Sequence, residues 1–325
     1  MAVYFVKSTD PGAPPARGVN GQGITVFNFI LNTTAGLPIL YTGTNRAIYA
    51  MPNGDVLRCY HDSTVSGAAQ LMLVRAAESA TGIDAITDPY PTVALVADNA
   101  CNVVLSNTAS AVDRAWWAIV DTSTTTGCFY FFVEGLSNDI ANGMLWAGGT
   151  TISALPTDNY AAVLKIRAST ATTYTTNPPS AMAGTLSTGS GQAWLKRSQD
   201  GTIKSSRTTA EAGSGSSLLG AITNAPAIPS PNDNKIHYDA VSVNDYYSQT
   251  TTTGTKTEVK RLWMPRLFNP LHAGSSYAAL PLGYDWEDTA YGASAKFAIF
   301  KFGSASGNAG ALIVQYDGTW VRPAA

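Results

Sequence analysis

The sequence predicts a mainly β fold: antiparallel, sandwich- or barrel-like hairpins with long loops and one short N-terminal helix. Three observations carry this. Short apolar runs alternate with polar segments rich in Gly, Pro, Asn and Thr along nearly the whole chain, the pattern of many short paired strands. Pro52-Asn53-Gly54-Asp55 sits between two such runs, and Asn-Gly there is a strong hairpin signal. Trp116, Trp117, Phe129, Tyr130, Phe131 and Phe132 fall on one prospective hairpin. Aromatic side chains bury the most apolar area, so that hairpin belongs in the core.

The elements follow in order. Val3–Lys7 reads as a strand, and Ser8–Gly23, with Pro11, Pro14 and Pro15, as a loop. Ile24, Phe27, Ile30 and Leu31 have helical spacing, which predicts a helix over Ile24–Leu31, ended by Thr33–Gly36. Arg46–Met51 and Val56–His61 flank the Asn-Gly turn as strands, and Gln70–Ala77 is another. Ala76–Asp88 is less regular and closes at Asp88-Pro89-Tyr90-Pro91. Strands are expected at Asn102–Leu105, Ala115–Asp121 and Cys128–Glu134, the last two facing each other across Thr122–Gly127. Tyr160–Ala168 is a further strand. Ser169–Ser190 is Thr/Ser/Pro/Gly-rich, and Ala193–Lys196 and Gly201–Lys204 form a weak pair. Glu211–Pro231 is loop-like. Ile236–Val243, Thr257–Met264, Lys296–Phe302, Ala311–Gln315 and Trp320–Arg322 complete the strands. The division this suggests is a β-rich domain over 1–168, a linker over 169–190 and a second β-rich domain over 191–325, or one continuous domain.

Composition narrows the function. The chain has 325 residues, 45% of them hydrophobic, so a full core can be buried. Only 13% are charged, about half the roughly 25% of an average globular protein. Such a neutral polar surface suits a protein whose surface is covered by partners. A net charge of −2 argues against a general phosphate-binding surface. Cys59, Cys101 and Cys128 contain no CxxC pair and read as reduced thiols. No run approaches the length of a membrane span, and Met1–Asp10 lacks an apolar signal region. The expectation is a soluble protein made in a cytoplasm.

No catalytic pattern is complete in the sequence. His61-Asp62 resembles half of an acid–base pair, yet no nucleophile elbow accompanies it. His237, in a prospective strand, and His272, in a loop, read as ordinary hydrogen-bonded residues. Asp84, Asp88, Asp285, Glu287 and Asp288 are the acids from which a carboxylate pair for sugar hydrolysis could be drawn. Tyr284, Asp285, Trp286 and Glu287 mix aromatics and acids as sugar-contacting surfaces do; the plainer reading is a turn with its acids in solvent. Gly213-Ser214-Gly215-Ser216-Ser217 lacks the Lys-Ser/Thr ending of a phosphate loop. Lys256, Lys260, Arg261 and Arg266 form the densest basic stretch and read as an exposed or edge strand. The expectation is no catalytic residue, no metal site and no cofactor.

A series of blocks in order then carries a resemblance. Met1-Ala2-Val3-Tyr4-Phe5 leads to Gly12-Ala13-Pro14 and a Gly-rich entrance to an apolar helix. Thr42–Tyr49, Val56–Asp62, Arg75–Glu78 and Asp88-Pro89-Tyr90-Pro91-Thr92 follow. Then come Ala115-Trp116 with Phe129-Tyr130-Phe131, and Gly148-Gly149 through Pro156-Thr157-Asp158-Asn159-Tyr160. Arg261–Leu267 with Pro270-Leu271-His272 closes the series. In these blocks the chain resembles a family of virion structural proteins from the late gene clusters of tailed bacteriophages. It departs where that family has Arg-Gly, Pro-Gly and Gly-Asp, with Arg261-Leu262, Pro265-Arg266 and Gly148-Gly149 instead. The opening Lys-Tyr is likewise replaced by Tyr4-Phe5. The resemblance implies a non-enzymatic virion component that assembles with copies of itself and other virion proteins. A tail position (tip, baseplate or fibre connection) is expected first. A capsid decoration protein, or a tail protein contacting a host receptor or glycan, are the alternatives. It carries over no active-site residues; the short apolar runs and the low net charge argue against membrane insertion and a nucleic-acid partner.

Overall fold

In the computed structural model the described residues are 2–90, 101–106, 110–134, 143–150, 152–153, 162–168, 192–195, 238–251, 254–270, 280–288, 295–302 and 310–320. The first part of the chain forms β1 (Val3–Lys7), α1 (Gln22–Phe27), a π-helical stretch (Asn28–Thr34), β2 (Ile39–Gly43), β3 (Arg46–Ala50), β4 (Val56–Tyr60), α2 (Ser63–Ser66), β5 (Leu71–Gly82), β6 (Ala85–Tyr90) and β7 (Cys101–Val104). Then come β8 (Trp116–Asp121), β9 (Cys128–Val133), β10 (Gly143–Thr150), β11 (Ile152–Ser153), β12 (Ala162–Ala168) and β13 (Gln192–Leu195). The last part holds β14 (Tyr238–Thr251), β15 (Gly254–Pro270), β16 (Tyr284–Glu287), β17 (Lys296–Phe302) and β18 (Gly310–Asp317). The mainly β, antiparallel expectation holds.

Two sheets result. The first has 12 strands along the path β1-β8-β9-β10-β12-β7-β5-β4-β3-β2, with β13 added to β12 and β6 to β5. Its end strands β1 and β2 each have one sheet neighbour among the described residues, so the sheet is open rather than a closed barrel. The second has 6 strands in the order β11-β15-β18-β17-β16, with β14 on β15. The sheets exchange strands across the 169–190 segment, since β11 pairs with β15 and β13 with β12. The segments 169–190 and 196–237, with the expected pair at Gly201–Lys204 and the Glu211–Pro231 loop, lie outside the described residues.

The first sheet curls around the helical segment. Phe27 is fully buried and touches Tyr49 of β3 on one side and Phe129 and Phe131 of β9 on the other, at ring separations of 6.4, 5.3 and 5.0 Å. Strand alternation supplies the rest of that core: Trp116, Ala118 and Val120 of β8, Leu57 and Cys59 of β4, and Met72 and Val74 of β5 point the same way. The alternate residues of β8 and β9 face the second sheet. Phe132 stacks on Phe300 with centroids 4.1 Å apart, and Trp117 meets the same ring edge-on at 5.8 Å. The aromatic hairpin is thus buried on both faces, as its composition predicts.

Four expectations are corrected. The helix starts at Gln22 and continues past Phe27 with wider turns to Thr34, where Ala35 N–H donates to the Ile30 carbonyl. A second short helix, α2, is capped by the Asp62 side chain accepting from Thr64 N–H. Ala76–Asp88 is no irregular stretch: β5 runs on to Gly82 and pairs with β6. Pro89 is tolerated in β6, which has no second neighbour among the described residues. Trp320, the one described residue of the expected Trp320–Arg322 strand, lies in no strand and is buried with Phe297 and Ile299 in the second sheet's own core. Up to Gly21 the expected Ser8–Gly23 loop is a loop, held in place by Trp116 Nε1–H donating to the Pro14 carbonyl and by the Ala16–Arg114 bridge.

Candidate functional site

His61 follows β4 directly and is fully buried. Its Nδ1 accepts the Gly23 backbone N–H at 2.8 Å, and its Nε2 lies 2.7 Å from the Ala69 carbonyl, so Nε2 carries the proton. Burial holds its pKa down to about 4, against the opposing pull of the Ala69 carbonyl and Asp62. Helix α1 begins at Gly21 with no side-chain cap of its own. His61 therefore satisfies a donor that a Ser or Asp cap would satisfy elsewhere. Asp62 turns to solvent, and its carboxyl is held below the usual range by the Thr64 N–H and hydroxyl. The two neighbours thus serve separate helix ends and form no acid–base pair.

The carboxylates separate too. Asp84 is held by Arg46 at 2.9 Å and by the Tyr60 hydroxyl at 2.7 Å. Asp88 sits in β6 with φ at 49°. Tyr284–Glu287 is the strand β16, not a turn, so its side chains alternate between faces. Tyr284 and Trp286 share one face, with ring planes 20° apart, and Trp286 stacks on Phe297 at 5.6 Å. Asp285 and Glu287 take the other face. There Asp285 accepts from the Tyr316 hydroxyl at 3.2 Å and lies 4.0 Å from Lys7 Nζ. Asp288 accepts from the Tyr238 hydroxyl at 2.9 Å. The acids are therefore not gathered around the aromatic face, and the exposed feature of that face is the Tyr284 ring.

Arg266 overturns its expected exposure. It is 6% exposed, and its Nε donates to Asp121 Oδ2 at 2.7 Å. Its Nη1 donates to the Gly318 carbonyl at 3.0 Å. The Tyr130 hydroxyl donates to the adjacent Pro265 carbonyl. Lys256, Lys260 and Arg261 lie along β15, where Lys260 is in register with Asp245 and Arg261 with Asn244. Sequence reasoning missed this junction because its partners are remote in the chain. The one local signal is the Pro265-Arg266 break in an apolar run, and Arg266 indeed has φ at 61°. Cys59 and Cys128 are free, and burial pushes Cys128 up to about 12 and Cys59 higher, so neither is a poised nucleophile. Among the described residues no group of three His, Cys, Asp or Glu is placed to hold a metal ion. None of their helices is long and apolar enough to cross a membrane. His237, His272 and Gly213-Ser214-Gly215-Ser216-Ser217 lie outside the described residues.

No protein-family model, curated protein or solved structure matches the chain.

Proposed function

We propose that the chain is a non-enzymatic structural component of a tailed-phage particle, a tail protein first of all, acting by protein–protein assembly. The observation that carries this reading is the combination of an open-ended sheet with a low-charge polar composition. β1 and β2 each leave one edge without a strand neighbour among the described residues. Such edges are templates for pairing with another chain, and monomeric proteins usually guard them with charge. Here only 13% of residues are charged. The ordered sequence blocks point to the same class of particle. Immunogold labelling of purified virions tests the reading. Gold on the tail is expected; gold on the capsid would favour the decoration protein instead. Unlabelled particles, with the antigen present in the lysate, would reject both.

A second reading is favoured by Tyr284, which is 39% exposed and nearly parallel to Trp286. Rings so placed can stack on the C–H face of a sugar, making β16 a glycan contact on the host surface. Host-cell oligosaccharides titrated against the protein should then change its tryptophan fluorescence, and Tyr284→Ala should abolish the change. A flat titration of the native protein rejects this reading.

A further inference from the structure

The turn from β3 to β4 holds a chemically reactive pair in a committed geometry. Gly54 follows Asn53, has φ at 88° and is exposed, with open space where a Cβ would stand. An asparagine followed by glycine can lose its amide to attack by the next backbone nitrogen, because glycine places no side chain in the way. In the folded turn both groups are occupied. Gly54 N–H donates to the Met51 carbonyl at 3.0 Å. Asn53 Nδ2 donates to Asp55 Oδ2 at 2.9 Å, and Asn53 Oδ1 accepts the Asp55 N–H at 3.2 Å, an Asx-type turn. Asp55 itself is 2% exposed and its Oδ2 also accepts the Tyr90 hydroxyl at 2.7 Å. A carboxylate so buried depends on the donors around it.

We propose that Asn53-Gly54 is a self-modification site, closed while this turn is folded and opened when it unfolds, whose product then weakens the refolded turn. In the open chain the Gly54 nitrogen bonds to Asn53 Cγ and loses its proton. The Cγ–Nδ2 bond breaks and the amide nitrogen leaves as ammonia. Water opens the resulting succinimide, leaving an aspartyl or isoaspartyl residue at position 53. The donor that faced Asp55 is then a second carboxylate beside a buried one, and both cannot stay ionised there at little cost. The effect reaches the next hairpin, because Pro52 packs where a Cβ on Gly127 of the β8–β9 turn would stand. The inference is independent of the assembly reading.

The test incubates the purified full-length chain at mildly alkaline pH, folded and in urea, and follows position 53 by peptide mass and by isoaspartyl methylation. The unfolded chain should convert at least about tenfold faster, because in the folded chain conversion must wait for local opening. Asn53→Ser should remove the signal from that peptide. Asn53→Asp should melt below the native protein at neutral pH. Asp55→Asn added to Asn53→Asp should recover the lost melting temperature, or recover folding if the single variant does not fold. Equal conversion rates in the two states would overturn the proposal. So would an Asn53→Asp variant that melts with the native protein, or a double variant that recovers nothing.

Discussion

His61 joins three segments that the chain brings together only on folding: the start of α1, the end of β4 and the loop before β5. Its folded pKa of about 4 lies below its ordinary 6.5. The unfolded chain therefore binds a proton that the folded chain refuses between those two values. The stabilisation is full above pH 6.5 and drains away as pH falls toward 4, by about 3 kcal/mol for this one residue. Urea denaturation across that range should show the loss, and His61→Gln should flatten it. His61→Leu removes both hydrogen bonds and leaves the buried Gly23 N–H unpaired, at about 1–3 kcal/mol for that group. Little of this was legible in the sequence. His61-Asp62 looks like a chemical pair because adjacency is all that a sequence displays. The partner that defines the histidine is Gly23, 38 residues away.

At the scale of elements, the β8–β9 hairpin has the clearest energetics. Trp116 and Phe131 are fully buried on the helix-facing side, and replacing either with Ala should cost about 3–5 kcal/mol in urea denaturation. Trp117→Ala should cost less, because Trp117 is only half-buried, but it loosens the seam between the sheets. There Gly283 approaches so closely that an added Cβ would lie 2.6 Å from Trp117 Nε1. Hairpins of this kind were legible because a strand, its turn and its partner sit side by side in the sequence; β3–β4 and β17–β18 were read for the same reason. The β5–β6 hairpin was misread because Asp88-Pro89 has the chemistry of a turn, and only an edge position makes it a strand. Helix α1 starts two residues before the expected Ile24 because the apolar spacing begins only there, whereas Gln22 and Gly23 carry no apolar side chain. Gly23 instead packs against Leu105, Met72 and His61, where a side chain would collide. The order of strands in the large sheet, with β12 beside β7 and β8 beside β1, depends on pairings between distant segments that no local pattern encodes.

At the scale of the molecule, the two sheets meet across aromatic contacts and are pinned at one polar junction. Phe132 on Phe300 and Phe5 on Tyr316, the latter with centroids 4.3 Å apart, supply apolar contact without direction. Direction comes from Asp121 at the end of β8 and Arg266 in β15, separated by 145 residues and both nearly inaccessible to water. Removing one member of such a pair strands the other charge in the interior, which costs about 3–5 kcal/mol. Asp121→Asn and Arg266→Met should each show a loss of that size by urea denaturation. The combined variant should lose less than the two single losses added together, since no lone charge is left behind. Arg266→Gly separates the two contributions at this position: it relieves the left-handed backbone at φ 61° yet still strands Asp121, so it should fall between Arg266→Met and the native protein. If the junction fixes how the sheets meet, the single variants should lower the unfolding midpoint seen by Trp116 in the first sheet and by Trp263 in the second by the same amount. Midpoints that separate, with only the second sheet weakened, would mean that the aromatic seam alone sets the arrangement and that Arg266 serves only its own strand.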